Sequence, residues 1–175
     1  MSTLKVNTIQ EVDGSGFSRV LKIQQSLISA ISSFTGASST TYQTIQESTF
    51  VVAGTNTDLL IQLNINGTNS SSSIDRNFRM AYKVGSGSYT NINFNPNGTV
   101  SENMFSDIRG DDAQTGTCTV TNFLIDGTWS AGSTITVKLE CVGEGTFNLN
   151  GAISTSDVRF GNGLSKFIFT EIQPL

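Results

Sequence analysis

Between Gly132 and Gly151 the chain alternates. Ile135, Val137, Leu139 and Cys141 are apolar, and Thr134, Thr136, Lys138 and Glu140 between them are polar. That is the period-2 signature of a half-buried strand. After Gly143-Glu144-Gly145 the pattern resumes with Phe147 and Leu149. A three-residue loop at this point predicts a β-hairpin that sets Cys141 opposite Phe147 and Leu139 opposite Leu149. The apolar side chains then share one face, whereas a two-residue loop would send them to opposite faces. Gly145 can supply the left-handed residue such a loop needs.

The rest of the chain reads as more sheet laid around this hairpin. Leu4, Val6 and Ile9 are the apolar residues of a short opening segment, closed off by Asp13-Gly14-Ser15-Gly16, so residues 1–16 read as an arm and linker and 17–175 as the body. Phe17 to Phe34 is ambiguous. Val20, Ile23, Leu27, Ala30 and Phe34 fit heptad spacing, but Ser26, Ser29, Ser32 and Ser33 oppose a helix interior. A strand near Ser18 to Gln25 followed by a loose connection fits better. Tyr42 to Ile45 and Phe50 to Ala53 read as separate strands, and Leu59, Ile61, Leu63 and Ile65 alternate in the next. Phe78, Met80 and Tyr82 share a face. Tyr89 to Phe94 ends at the turn tetrad Asn95-Pro96-Asn97-Gly98. Met104 to Ile108 is short and apolar. Cys118 and Val120, then Phe123 and Ile125, change phase near Asn122, which predicts a bulge. About nine short strands imply an all-β sandwich or jelly roll.

The terminal strand, Leu164 to Ile172, breaks the alternation. Phe167 and Phe169 point one way, and Leu164, Ile168 and Ile172 point the other. A strand apolar on both faces is ordinarily buried on both. In a lone two-sheet sandwich one face would meet water, so Leu164, Ile168 and Ile172 are the expected subunit interface, most economically a cyclic one.

Composition agrees with sheet. Ser, Thr, Asn and Gly supply 77 of 175 residues and only 14% of the chain is charged, so helix formers are scarce and turn formers abundant. The formal charge of −4 offers no basic surface for nucleic acid. No apolar run approaches the 18 residues or so needed to span a membrane. The N-terminus lacks the layout of a secretory signal, so Cys118 and Cys141 are expected as thiols, with a bridge geometrically possible.

At this point the residues carry a resemblance. MSTLKVNTIQ followed by a Gly-rich turn resembles the opening of virion structural proteins of marine tailed phages, cyanophages especially. SSTTYQTIQESTFVVAGTNTDLLIQLNING resembles the first strands of their short jelly-roll domain. STITVKLECVGEGTFNLNG and LSKFIFTEIQ resemble its closing hairpin and its terminal strand, which in that family ends in a Met-Glu-Ile-like tripeptide. The likeness covers both ends and skips about a third of the middle. It implies a trimeric jelly roll of the complement and tumour-necrosis-factor kind, carried on the virion surface. This chain departs from it in the Ser-rich stretch Ser26 to Ser39 and in Thr170, where the family often has Met.

Chemistry is sparse. With no histidine in the chain, His-based acid–base catalysis and His-ligated zinc are excluded. No Cys-x-x-Cys, phosphate-cradling or nucleophile-elbow motif occurs, and no enzyme, cofactor or metal is expected. Asp107, Asp111 and Asp112 fit no calcium-loop spacing, and Arg109-Gly110-Asp111 reads as a chance match to an integrin-binding tripeptide. Asn66, Asn97 and Asn69 head glycosylation triplets that matter only in a secretory pathway. Glu140 and Glu144 read as exposed charges beside the hairpin turn. Trp129, in Asp126-Gly127-Thr128-Trp129, is the best candidate for ligand contact, by stacking on a sugar ring, and equally a lid on the core. Two function classes follow: a homotrimeric appendage of the particle (head decoration or head fibre), bound through Leu4, Val6 and Ile9 to other virion proteins, or a tail-fibre tip that recognises a host surface glycan.

Overall fold

The computed structural model describes residues 19–28, 32–69, 74–92, 104–110, 116–150 and 164–174. They form nine strands and no helix: β1 (Arg19–Ile28), β2 (Ser32–Val51), β3 (Asp58–Asn69), β4 (Ile74–Val84), β5 (Thr90–Asn91), β6 (Met104–Gly110), β7 (Gly116–Ile125), β8 (Thr134–Leu149) and β9 (Ser165–Gln173). The arm residues Leu4, Val6 and Ile9 lie outside the described residues.

The pairing is that of a chain doubled on itself. β1 pairs with β9, β2 with β8, β3 with β7 and β4 with β6, all antiparallel. The doubled ribbon then folds over. β9 also pairs with β3, and β8 also pairs with β4, so one sheet runs β1-β9-β3-β7 and the other β2-β8-β4, with β5 and β6 on the far side of β4. A four-stranded and a five-stranded antiparallel sheet wound in this order make a jelly roll.

The hairpin expected at Gly143-Glu144-Gly145 is absent: β8 runs unbroken from Thr134 to Leu149. The apolar positions of both halves are odd-numbered, so a straight strand keeps them on one face just as a three-residue hairpin would. Pattern alone could not separate the two. The glycines serve a different purpose. Up to Gly143, β8 pairs with β4, and from Phe147 it pairs with β3, so the strand changes sheets at this point. Gly143, at φ 142°, takes a backbone conformation suited to glycine at that corner.

β2 is likewise a single 20-residue strand along β8, where two strands and a loose Ser-rich lead-in were expected. Its register slips between Ser38 and Gln43 and between Thr44 and Gln46, which breaks the alternation visible in the sequence. The bulge expected near Asn122 does not occur. The β3–β7 register is continuous from Leu59↔Ile125 to Thr68↔Gly116, so the change of phase is a change of face: Phe123 and Ile125 are buried and Leu124 is exposed.

The core lies between the sheets. Leu59, Ile61, Leu63 and Ile65 of β3 and Phe167 and Phe169 of β9 face Phe50, Phe78, Met80, Ile135, Val137, Leu139, Cys141 and Phe147 of the opposite sheet and its corner. Phe78 meets Phe147 edge-on at 5.5 Å, and Phe50 meets Phe169 at 5.7 Å, both within the favourable range for ring pairs. Cys141 is buried and forms no disulfide. Along one open side of the sandwich, β1 turns polar side chains inward onto β2. Lys22 Nζ and Gln24 Nε2 donate to the Val51 and Thr49 carbonyls at 2.7 Å, and Ser26 meets the Ser48 hydroxyl at 3.0 Å. Lys22 also sits 4.4 Å from the Phe50 ring centre. Inward polar groups of this kind keep an edge strand from recruiting another chain.

Candidate interaction face

The two outer faces differ in kind. On the β2-β8-β4 sheet the outer face carries paired charges along β8 and β4, while Thr44, Glu47, Thr49 and Val51 of β2 are exposed. Glu140, expected as an exposed turn charge, is 5% exposed in mid-strand. Arg79 Nε and Lys138 Nζ each donate to it at 2.7 Å. The Arg79 guanidinium lies 3.4 Å from the Tyr42 ring centre, while Lys138 and Lys83 lie 4.3 and 4.7 Å from that of Tyr89. Each cation is thus desolvated by a ring that attracts it. Burial, and then the neighbouring Glu47 and Glu140 carboxylates, push the Tyr89 hydroxyl up to about 12. Every charge described in this cluster has an opposite charge or a ring beside it.

The outer face of the β1-β9-β3-β7 sheet is apolar and open. The registers set Ile23, Thr170, Leu60 and Leu124 in one row across four strands. The next row is Gln25, Ile168, Gln62 and Asn122, and a third joins Val20, Ile172 and Asp58. Val20 (53%), Ile23 (66%), Leu27 (48%), Leu124 (56%) and Leu164 (47%) are exposed, while Ile168, Ile172 and Leu60 are half-buried. Five large side chains at about half exposure leave on the order of 400 Å² of apolar surface, the size at which a patch on a monomer is usually functional. Its polar members pair among themselves: Gln62 Nε2 donates to Asn122 Oδ1 at 3.0 Å and Asn66 Nδ2 to Asn64 Oδ1 at 3.3 Å. Such a face can be buried with few orphaned polar groups.

The interface residues expected from the sequence therefore lie together on this face, with Phe167 and Phe169 fully buried behind them. Val20, Ile23, Leu27 and Leu124, exposed on the same face, did not stand out in the sequence. The first three belong to the heptad-like pattern of the opening strand. That spacing spans the register shift between Val20 and Lys22, which restores all three to one side of β1.

Trp129 sits elsewhere, at one end of the sandwich. It is 8% exposed, and its Nε1 donates to Thr57 Oγ1 at 3.1 Å. Thr57 in turn donates to Glu171 Oε1 at 2.8 Å. The same carboxylate accepts the Ala53 and Gly54 amides at 2.8 Å. The Trp129 carbonyl accepts from the Asn56 amide, whose φ of 52° turns the loop back. A Cβ on Gly127 would run into the Trp129 ring and the Thr57 carbonyl, so the residue there must be glycine. The indole is a lid on the core, and no ring face is offered to a sugar. Glu171 went unnoticed in the sequence, although it shares the inward parity of Phe167 and Phe169, where a carboxylate must be matched by donors.

The arrangement defines a jelly-roll β-sandwich with one apolar outer face, and comparison with known structures gives the same class. The chain is similar in fold to viral capsid proteins: a chain in the structure of infectious bursal disease virus, Gx strain (TM-score 0.55, 11% identity, 91% of this chain and 37% of that one). Similar values hold for the Gt strain (0.55, 9%, 92% and 39%) and for T=1 particles derived from the virus (0.52, 11%, 99% and 40%). The chain spans about two fifths of the length of these capsid chains. No family model matches it, and no curated protein is similar to it.

Proposed function

We propose that the chain is a virion structural protein: a homotrimer carried on the outside of the particle as a head decoration or head fibre. The observation that carries this reading is the open apolar face of the β1-β9-β3-β7 sheet, set against a second outer face whose charges pair along β8 and β4. A patch of this size is often functional. The jelly roll shared with viral capsid proteins and the likeness of the chain ends to phage virion proteins supply the setting. The glycan-binding alternative loses its best ligand candidate with the indole of Trp129 packed away.

Attachment falls to the opening segment. Leu4, Val6 and Ile9 are its apolar side chains, and a short segment added as a strand to a partner's sheet edge gains backbone hydrogen bonds and pockets for alternate side chains. Three arms on one trimer raise the effective concentration, so weak single contacts suffice. Deleting Ser2 to Asp13 leaves a folded trimer that no longer appears on assembled particles. Normal occupancy by the truncated protein would move attachment to the jelly-roll body, and absence of the full-length protein from particles would end the reading.

A further inference from the structure

We infer that the cleft between the edges of β9 and β2 is a strand-binding groove, filled here by the chain's own β1 and open to β1 of a second copy. This is independent of the virion role. β1 is inside out for a sandwich strand. Its inward positions carry Lys22, Gln24, Ser26 and Ile28, and of these Ile28 alone joins the core. Leu21 is half-buried against Gly54, while Val20, Ile23 and Leu27 point outward. The next two strands of the same sheet turn Phe167 and Phe169, and Leu59, Ile61, Leu63 and Ile65, into the core.

Backbone pairing with β9, from Arg19↔Gln173 to Ile28↔Ser165, and polar contact with β2 therefore hold β1 in place. The Val51 carbonyl accepts Lys22 Nζ, the Thr49 carbonyl accepts Gln24 Nε2, and the Ser48 hydroxyl meets that of Ser26. The Phe50 ring stands 4.4 Å from the Lys22 ammonium, and Asn150 Nδ2 donates to the Ile28 carbonyl. Water replaces the polar contacts when β1 leaves, whereas departure of β9 would bare two buried rings. β1 is thus the strand that opens first. The same contacts define what the groove accepts: an extended segment antiparallel to β9, with Lys, Gln, Ser and Ile at alternate positions. β1 of a second copy meets all four, residue for residue, so exchange between copies changes no contact. Three residues separate β1 from β2, and that tether favours the chain's own strand in dilute solution. A second copy competes once its concentration approaches that of a short tether, about 1 mM.

The test uses the full chain with Cys118 replaced by Ser. Ser26→Cys and Ser48→Cys are made singly and together. The two hydroxyls lie 3.0 Å apart between the sheets, where packing of outer faces cannot join them. The single variants, mixed at about 1 mM and mildly oxidised, are expected to form a disulfide between the introduced thiols, mapped by peptide mass. The double variant closes the same bond within one chain. Before oxidation its β1 amides should exchange with deuterium at least about 10-fold faster than those of β3 and β8, and oxidation should remove the difference. A fluorescent peptide of residues 19–28 should bind the reduced double variant and not the oxidised one. Lys22→Ala with Gln24→Ala in that peptide should weaken binding at least about 10-fold. If the double variant closes its bond while the mixed single variants form none, β1 never leaves its own chain and the groove is not open to a second copy. Protection of the β1 amides equal to that of β3, or undiminished binding of the substituted peptide, would overturn the proposal as well.

Discussion

Replacing Glu171 by Ala removes one carboxylate and strands three donors. The amides of Ala53 and Gly54 and the hydroxyl of Thr57 all end on Glu171 at 2.8 Å, and Thr57 also carries the Trp129 indole N–H. Glu171 is 1% exposed and Thr57 fully buried, so water does not simply take the vacated place. Each buried donor left unmatched costs about 1–3 kcal/mol. Removing the carboxylate also removes the penalty for burying it, which offsets part of the loss. The net effect is about 2–4 kcal/mol. For a chain of this length that is a fall in melting temperature of about 5–15 °C. Glu171→Gln keeps one acceptor oxygen but turns an amide N–H₂ toward backbone donors, so it falls between wild type and Ala. Thr128→Ala, exposed in the neighbouring loop, is the control and should move stability by under about 0.5 kcal/mol. Melts are compared at one protein concentration, because self-association raises the apparent stability. If Glu171→Ala costs under about 1 kcal/mol, the carboxylate is not what ties the loop cluster to β9, and the argument for a rigid sandwich end fails.

Three further outcomes follow from the same packing. Trp129→Ala should lower stability by roughly 3–5 kcal/mol in urea titration, the cost of emptying a core lid, whereas a ligand-stacking indole would be lost without change in stability. Gly67→Ala should destabilise by about 1–3 kcal/mol, because the added methyl meets the Phe147 ring at the point where β3 passes the second half of β8. Tyrosinate absorbance should show a component rising near pH 12 that Tyr89→Phe removes. The raised value also fixes a sign: this tyrosine's contribution to stability is complete below about pH 10, and declines as pH climbs from there toward 12.

The sequence made the inward face of the sandwich plain and the chain's turns obscure. Odd-numbered apolar residues from Ile135 to Leu149 and from Leu59 to Ile65 are all in the core, because period 2 is a direct consequence of burial on one side. The same period is blind to whether a strand continues or doubles back when the gap holds an odd number of residues, and Gly143-Glu144-Gly145 was read as a turn for that reason. The long β2 was hidden by its slips in register, which shift the phase without ending the strand. On the outer side, Ile168 and Ile172 stood out because they broke an alternation. Ile23 and Leu27 did not, because the irregularity after Val20 gave them helical spacing, and only the pairing with β9 puts them beside Thr170 and Lys166. Glu171 and Glu140 share the lesson. A carboxylate in a strand looks exposed until the groups that satisfy it, distant in sequence, are brought to it by the fold.

Light scattering on the purified full-length chain, at micromolar concentration and beside Ile168→Asp, tests the central claim most directly. The wild type should show a single species at three times the 18.7 kDa chain mass, and the variant should run at the chain mass with its strand content intact. A wild-type chain that stays at 18.7 kDa would contradict it: the apolar face of β1, β9, β3 and β7 would then not be an interface between copies.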